Sequence, residues 1–278
     1  MILSLSVRIA EFFQSKEEAS ISLQEVGELA KAAGYEALCM RGSQVGVHSS
    51  PDEVQVARET VGGLGLGVSM VTGDFAIVYN NEEGPNALRN IGPYLDLAQT
   101  LDAPLLRVAL KKDEDIGWAR RAADEAGERG LKLAHQCHTL SLFETVNGIE
   151  ETLRRIDREN FGLIYEPANL EICSQDYGAE TISRLAPWIF NVYLQNQVLK
   201  DDGQVTLNTW CRGPVSFDLK PIHESGGVDF RMAFEGLAEA GYDGTVTVHQ
   251  AGLEGESPAD SAGKTAEFIR KVWGEAKV

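Results

Sequence analysis

The stretch ADEAGERGLKLAHQCH, residues 123–138, decides the fold. Its first half is rich in Ala and Glu, which favour helix. Gly130 then breaks the helix, and LKLAHQCH is a short apolar run ending in polar residues, the signature of a buried strand. The same helix, turn and strand recur in LAKAAGYEALCM (29–40), ARETVGGLGLGVSMV (57–71) and LAQTLDAPLLRVAL (97–110). They recur again in LRRIDRENFGLIYEP (153–167), ISRLAPWIFNVYLQN (182–196) and FEGLAEAGYDGTVTVHQ (234–250). An initial strand near residues 2–8 precedes them. Helices alternating with short strands build right-handed parallel βαβ units. Eight strands, one roughly every 30 residues, predict an α/β protein: a single (β/α)8 TIM barrel over residues 1–278. An open doubly wound sheet would carry a glycine-rich phosphate turn after its first strand, and SVRIAEFF (6–13) has none. GGLGLG (62–67) precedes its strand and reads as a turn.

The composition, 43% hydrophobic and 24% charged over 278 residues, supplies ample apolar material for a large core. The formal net charge of -17 repels phosphate backbones and anionic membranes, so neither nucleic acid nor a membrane is an expected partner. The N-terminal MILSLSVRIAEFF is apolar only briefly and carries Arg8 and Glu11, unlike a signal peptide. Cys39, Cys137, Cys173 and Cys211 are widely spaced and read as reduced, mostly core thiols of a cytoplasmic protein. The long segment 197–228, with Gly203, Gly213, Gly226 and Gly227, predicts a loop inserted after the seventh strand and covering the C-terminal mouth.

Polar residues at strand ends are the candidate site, because inward strand positions are otherwise apolar. Gln136 and His138 lie two apart on one face of the fifth strand. The sixth strand ends at Glu166, with Asn169 following. Tyr193 and Gln195 share a face of the seventh, and His249 ends the eighth. Arg41 and His48 follow the second strand, Asp74 the third, and Arg107 lies in the fourth. Each has an ordinary alternative: a strand-end His is often only hydrogen-bonded, and Glu166 could simply pair with Arg107. Their convergence on one rim favours function, since buried ionisable groups are costly unless used. His138 is the expected general acid/base, as an unperturbed imidazole titrates near neutrality. Glu144 is placed either to orient His138 or to favour a helix N-terminus. Arg41, His48, Asp74, Arg107 and Tyr193 are expected to bind substrate, the two arginines suiting a phosphate or carboxylate.

The segments GLIYEPANLEICSQDYG, LAPWIFNVYLQNQ and GGVDFRMAFEGLAEAGYDGTVTVHQA resemble the later strands of the xylose-isomerase-like family of sugar phosphate isomerases and epimerases. The resemblance covers nearly the whole chain. It implies a divalent metal held by Glu, Asp, His and Glu from strands five to eight. Here those positions carry Gln136, Glu166, Gln195 (in Tyr-Leu-Gln-Asn, where the family has His-x-Lys-Asp) and His249. Only Glu166 keeps a carboxylate. The mixed set suits Mn best, with Zn, Co or Mg as alternatives.

Three functions compete. The first is a metal-assisted sugar, keto-sugar or polyol isomerase, epimerase or lyase that abstracts a proton next to a carbonyl. The second is the barrel subunit of a C-glycoside-cleaving enzyme acting on 3-keto glycosides, a group this chain also resembles; it would need a small β-rich partner subunit, whereas the first is compatible with a homo-oligomer. The third is a non-catalytic sugar-binding barrel. An apurinic endonuclease barrel is opposed by the acidic surface.

Overall fold

The structure, a computed structural model, describes residues 1–12 and 15–277. Seven strands run in sequence: β1 (Ile2–Ser6), β2 (Ala37–Arg41), β3 (Gly67–Thr72), β4 (Leu105–Val108), β5 (Lys132–Gln136), β6 (Phe161–Tyr165) and β7 (Ile189–Leu194). Three more follow, β8 (Gln197–Leu199), β9 (Val205–Thr209) and β10 (Gly213–Leu219), and then β11 (Thr245–Val248). Strands β1–β7 and β11 close a parallel barrel, with β11 between β7 and β1. This is a single (β/α)8 TIM barrel, as the repeating helix–turn–strand pattern predicts.

Local sequence explains the joints. Ser22 and Ser50 open the helices Leu23–Ala32 and Pro51–Gly63 with capping boxes completed by Glu25 and Glu53. Gly130 and Gly241 sit at φ +70°, a left-handed conformation that lets each chain turn from helix into β5 or β11. The outer core lies between strands and helices. A second cluster fills the barrel: Cys39, Met70, Leu105, Ala134, Ile164 and Tyr193.

The segment after β7 is not the expected loop. It forms an antiparallel sheet in the order β8–β10–β9. Val215 and Phe217 pack with Ile172 and Cys173 at the end of the short helix Pro167–Ile172, and Leu207 of β9 reaches the barrel mouth. Among the described residues no helix is long and apolar enough to cross a membrane. Cys39, Cys137 and Cys173 are buried free thiols and Cys211 is exposed.

Candidate functional site

Side chains on a strand alternate, so the residue two beyond each interior apolar residue also points inward, one layer nearer the C-terminal mouth. That step leads from Cys39 to Arg41, Met70 to Thr72, Leu105 to Arg107, Ala134 to Gln136, Ile164 to Glu166 and Tyr193 to Gln195. Ser6 and His249 complete the ring from β1 and β11. All eight are buried. Above this ring lies a cavity of about 80 Å3, walled by Arg41, Arg107, Gln136, Glu166, Gln195 and His249, with Arg8, Lys16, His138, Asn169 and Leu207 from the adjoining loops and sheet. A larger cavity, about 450 Å3, opens at the opposite end of the barrel beside Lys132, Asn191 and Thr245. It lacks the converging buried charges of the mouth, where barrel sites lie.

Glu166 is the only carboxylate lining the mouth cavity among the described residues. Its Oε2 accepts hydrogen bonds from Gln136 Nε2 and, at 2.6 Å, from Asn169 Nδ2. Burial raises its carboxyl above the usual range, opposed by those donors and by Arg8 and Arg107. Glu11, just past β1, is spent elsewhere. Arg41 donates to it twice, Nε at 2.9 Å and Nη2 at 2.8 Å, and Ser43 Oγ donates at 2.5 Å. The third Arg41 nitrogen lies 3.3 Å from His249 Nε2. The other His249 nitrogen lies 3.2 Å from Ser6 Oγ, and the ring stacks on Tyr193 at 3.8 Å.

Several sequence expectations change here. His138 lines the cavity, with Nδ1 3.0 Å from the Thr139 carbonyl and 3.1 Å from Asn80 Nδ2. Burial and the nearby Arg107 hold it well below its usual pKa, where the sequence alone suggests an unperturbed imidazole. Glu144 does not orient it. That carboxylate accepts the amides of Leu140, Trp210 and Cys211 at 2.8–3.0 Å, pinning the β9–β10 turn to the loop after β5. Asp74 caps the helix Phe75–Tyr79, accepting Ile77 N at 2.7 Å and the Tyr94 hydroxyl. His48 is exposed and stacks on Phe75. Tyr193 lies inside the barrel beneath His249, its hydroxyl 3.3 Å from Cys39 Sγ. None of these last three lines the cavity.

Arg8 and Lys16 were missed. Both lie in the connection after β1, which alternation along a strand does not reach. The signal was present: Arg8 and Glu11 are the only charges in an otherwise apolar N-terminal run. Burial, then Arg41, lowers Arg8 to about 10. Burial, then Arg8, Arg41 and Arg107, lowers Lys16 to about 7.

The expected metal ligands Gln136, Glu166, Gln195 and His249 do share the cavity wall. Gln136 Oε1 and Gln195 Oε1 are buried without hydrogen-bond partners, an arrangement open to a cation or to a ligand hydroxyl. Charge and donor chemistry decide between them. Both His249 nitrogens already face polar partners, one of them a guanidinium. Like unit charges 4 Å apart repel by about 4 kcal/mol at an effective dielectric of 20, and a dication doubles that. One carboxylate facing Arg8, Arg107 and Lys16 does not fit a divalent ion. Among the described residues, the cluster of His, Cys, Asp or Glu ligand atoms close enough to hold one is Glu144, Cys173 and Cys211, whose carboxylate the backbone amides occupy.

The chain is 22% identical to an inosose dehydratase of Geobacillus thermodenitrificans over 161 residues, 57% of this chain and 54% of that protein. The match therefore spans about half the length of that curated relative. Among solved structures, a probable 3-DHS dehydratase of petrobactin synthesis from Bacillus anthracis superposes with a TM-score of 0.74 at 15% identity, covering 97% of this chain and 99% of that one. A xylose isomerase-like TIM barrel protein from Mycobacterium smegmatis, in complex with magnesium, gives 0.72 at 16% identity, covering 100% and 97%. At these identities the structures speak for the fold. Residues 27–272 match the xylose isomerase-like TIM barrel family, and the chain belongs to that family.

Proposed function

We propose that this protein is a sugar-processing enzyme of the dehydratase kind, removing water from a small polyhydroxylated ketone. The observation that carries the reading is that one carboxylate lines the cavity. Glu166 is the cavity's only carboxylate among the described residues, Glu11 is locked to Arg41, and His138 and His249 are both held well below their usual pKa. Inverting a stereocentre calls for proton donors and acceptors on both faces of a carbon. Elimination on one face needs only one. Glu166 takes the proton next to the carbonyl, and the C–H electron pair forms an enolate. The enolate re-forms the carbonyl as the C=C bond forms and the β C–O bond breaks. The departing hydroxyl leaves as water with the proton Glu166 carried, so the carboxylate is restored. Gln136 and Asn169 hold that carboxylate in place through their amide N–H groups. The inosose dehydratase relative points to the same reaction class.

The test is incubation with inososes in D2O, followed by NMR. The expected result is loss of a β-hydroxyl and formation of an enone. Deuterium incorporation with inverted configuration and no loss of hydroxyl would mark an epimerase and sink the elimination reading.

A further inference from the structure

Among the described residues no donor reaches two of the acceptors at the mouth cavity. Gln136 Oε1 and Gln195 Oε1 are buried without hydrogen-bond partners, on side chains that line the cavity and are 3% and 5% exposed as residues. The neighbours of each amide fix which end is nitrogen and which is oxygen. Gln136 Nε2 is held by Glu166 Oε2, and an ionised carboxylate accepts but cannot donate, so this amide cannot turn round. Gln195 Nε2 lies 3.5 Å from Gln197 Oε1, and Gln197 is oriented in turn by its Nε2, which donates to the Ala168 carbonyl at 2.7 Å. Each orientation therefore traces back to a group that only accepts, and each of the two glutamines has an oxygen left over. Gln136 ends β5 and Gln195 follows β7, the strands that flank β6, so the two amides come from either side of the strand that leads to Glu166. A buried acceptor without a donor is rare and destabilising, and two of them beside one cavity mark donors that a ligand brings.

We propose that Gln136 and Gln195 read two free hydroxyls of the ligand directly, each hydroxyl donating its proton to one amide oxygen. The ligand class is a polyol or hydroxy ketone whose hydroxyls at those two positions carry no substituent. A phosphate ester or carboxylate at either position would set lone pairs against lone pairs, and the site rejects it there. The cavity is about 80 Å3, where one water needs about 10–15 Å3, so it takes a short hydroxylated edge of the ligand. This names the substrate class of the site proposed above and rests on that reading for its chemistry. A hydroxyl held through its proton keeps its lone pairs free, and the oxygen that departs in the elimination must accept a proton from Glu166.

The experiment uses the purified full chain and needs no turnover. Calorimetry, with chelator present, follows binding of inositol and of erythritol, polyols that have no carbonyl and so no acidic C–H. The expected result is one polyol per chain, bound at least tenfold more weakly by Gln136→Leu and by Gln195→Leu, with thermal melting showing that each variant folds. Gln195→Glu keeps an oxygen at the same reach and should retain binding within a few fold, which separates an acceptor from a side chain that only fills space. Erythritol with its hydroxyls methylated keeps the oxygens but lacks the protons, and should not compete. MnCl2 and ZnCl2 are then titrated without chelator, and no stoichiometric binding is expected. The proposal is overturned if neither polyol binds, if polyol affinity is indifferent to both leucine variants, or if the methylated compound competes equally. One Mn or Zn per chain that is lost in Gln195→Leu overturns it too, by making that oxygen a metal ligand. A protein that binds polyols as expected but dehydrates no inosose would sink the reaction alone. One that dehydrates inososes with an unchanged KM in Gln195→Leu would sink only this inference.

Discussion

Two opposed effects act on the Glu166 carboxyl: burial raises its pKa, and the amides of Gln136 and Asn169 with the guanidiniums of Arg8 and Arg107 oppose the rise. Glu166→Gln should lower turnover by about 10²–10⁴-fold, the usual range for a positioned proton-transfer group, with little change in fold. It should also change the pH dependence of stability. The folded-state pKa lies above the unfolded one, so between the two the folded chain holds the extra proton. Wild-type stability therefore gains from this group as pH falls through the folded-state pKa. Melting curves of wild type and variant should draw together at lower pH. A gap that widens on acidification would mean that the charged form is the favoured one. Glu166, Gln136, Gln195, His249, Arg41 and Arg107 are legible in the sequence because strand alternation states which side chains face inward. Asp74 and Glu144 lie outside the cavity lining for a common reason. A carboxylate near a strand end serves backbone amides as readily as a ligand, and only the positions of those amides distinguish the cases. The lowered pKa of His138 depends on Arg107 from a different strand, which sequence spacing does not reveal.

The β8–β10 sheet shows what one well-placed acid does for a whole element. Glu144 gathers the amides of Trp210 and Cys211 at the β9–β10 turn, while Leu207 in the same hairpin touches the cavity. Glu144→Ala should leave those amides without their acceptor, at a cost of about 1–3 kcal/mol. Hydrogen exchange should then accelerate across residues 205–219 and remain unchanged in the barrel strands. Uniform acceleration over the whole chain would mean that Glu144 supports the barrel and not the sheet. The sequence hid this sheet for a physical reason. β9 and β10 alternate in burial, yet they are short and bounded by the turn residues Asp201, Asp202, Gly203 and Gly213, so local composition favoured a loop. The barrel strands were legible because each follows a helix and a turn in one repeated order, seven times over.

At the scale of the molecule, a chain of net charge -17 carries its buried arginines at the mouth of the barrel. An oxyanion approaching from solvent meets the acidic surface first and the cations last. At about 0.01 M salt the screening length is about 30 Å and the repulsion spans the whole approach, whereas at about 0.15 M it shrinks to about 8 Å. Oxalate, a planar two-carbon oxyanion, probes the mouth's cations, and added salt should therefore speed its association, the reverse of the usual steering of a ligand to an opposite charge. The bound state should respond less, since buried pairs are screened less than exposed ones. Protons should act at close range. Burial, followed by the three arginines, lowers Lys16 to about 7, so it loses its charge as pH rises through neutrality. An anion in the cavity favours the charged form, and oxalate affinity should fall as pH rises through about 7. The arginines stay charged throughout. Lys16→Gln should flatten the profile while leaving the salt effect on association intact. Stopped-flow binding across salt and pH separates the two. An association rate that drops with added salt would show that the mouth's cations outweigh the acidic surface at long range, and that the approach is attractive from the start.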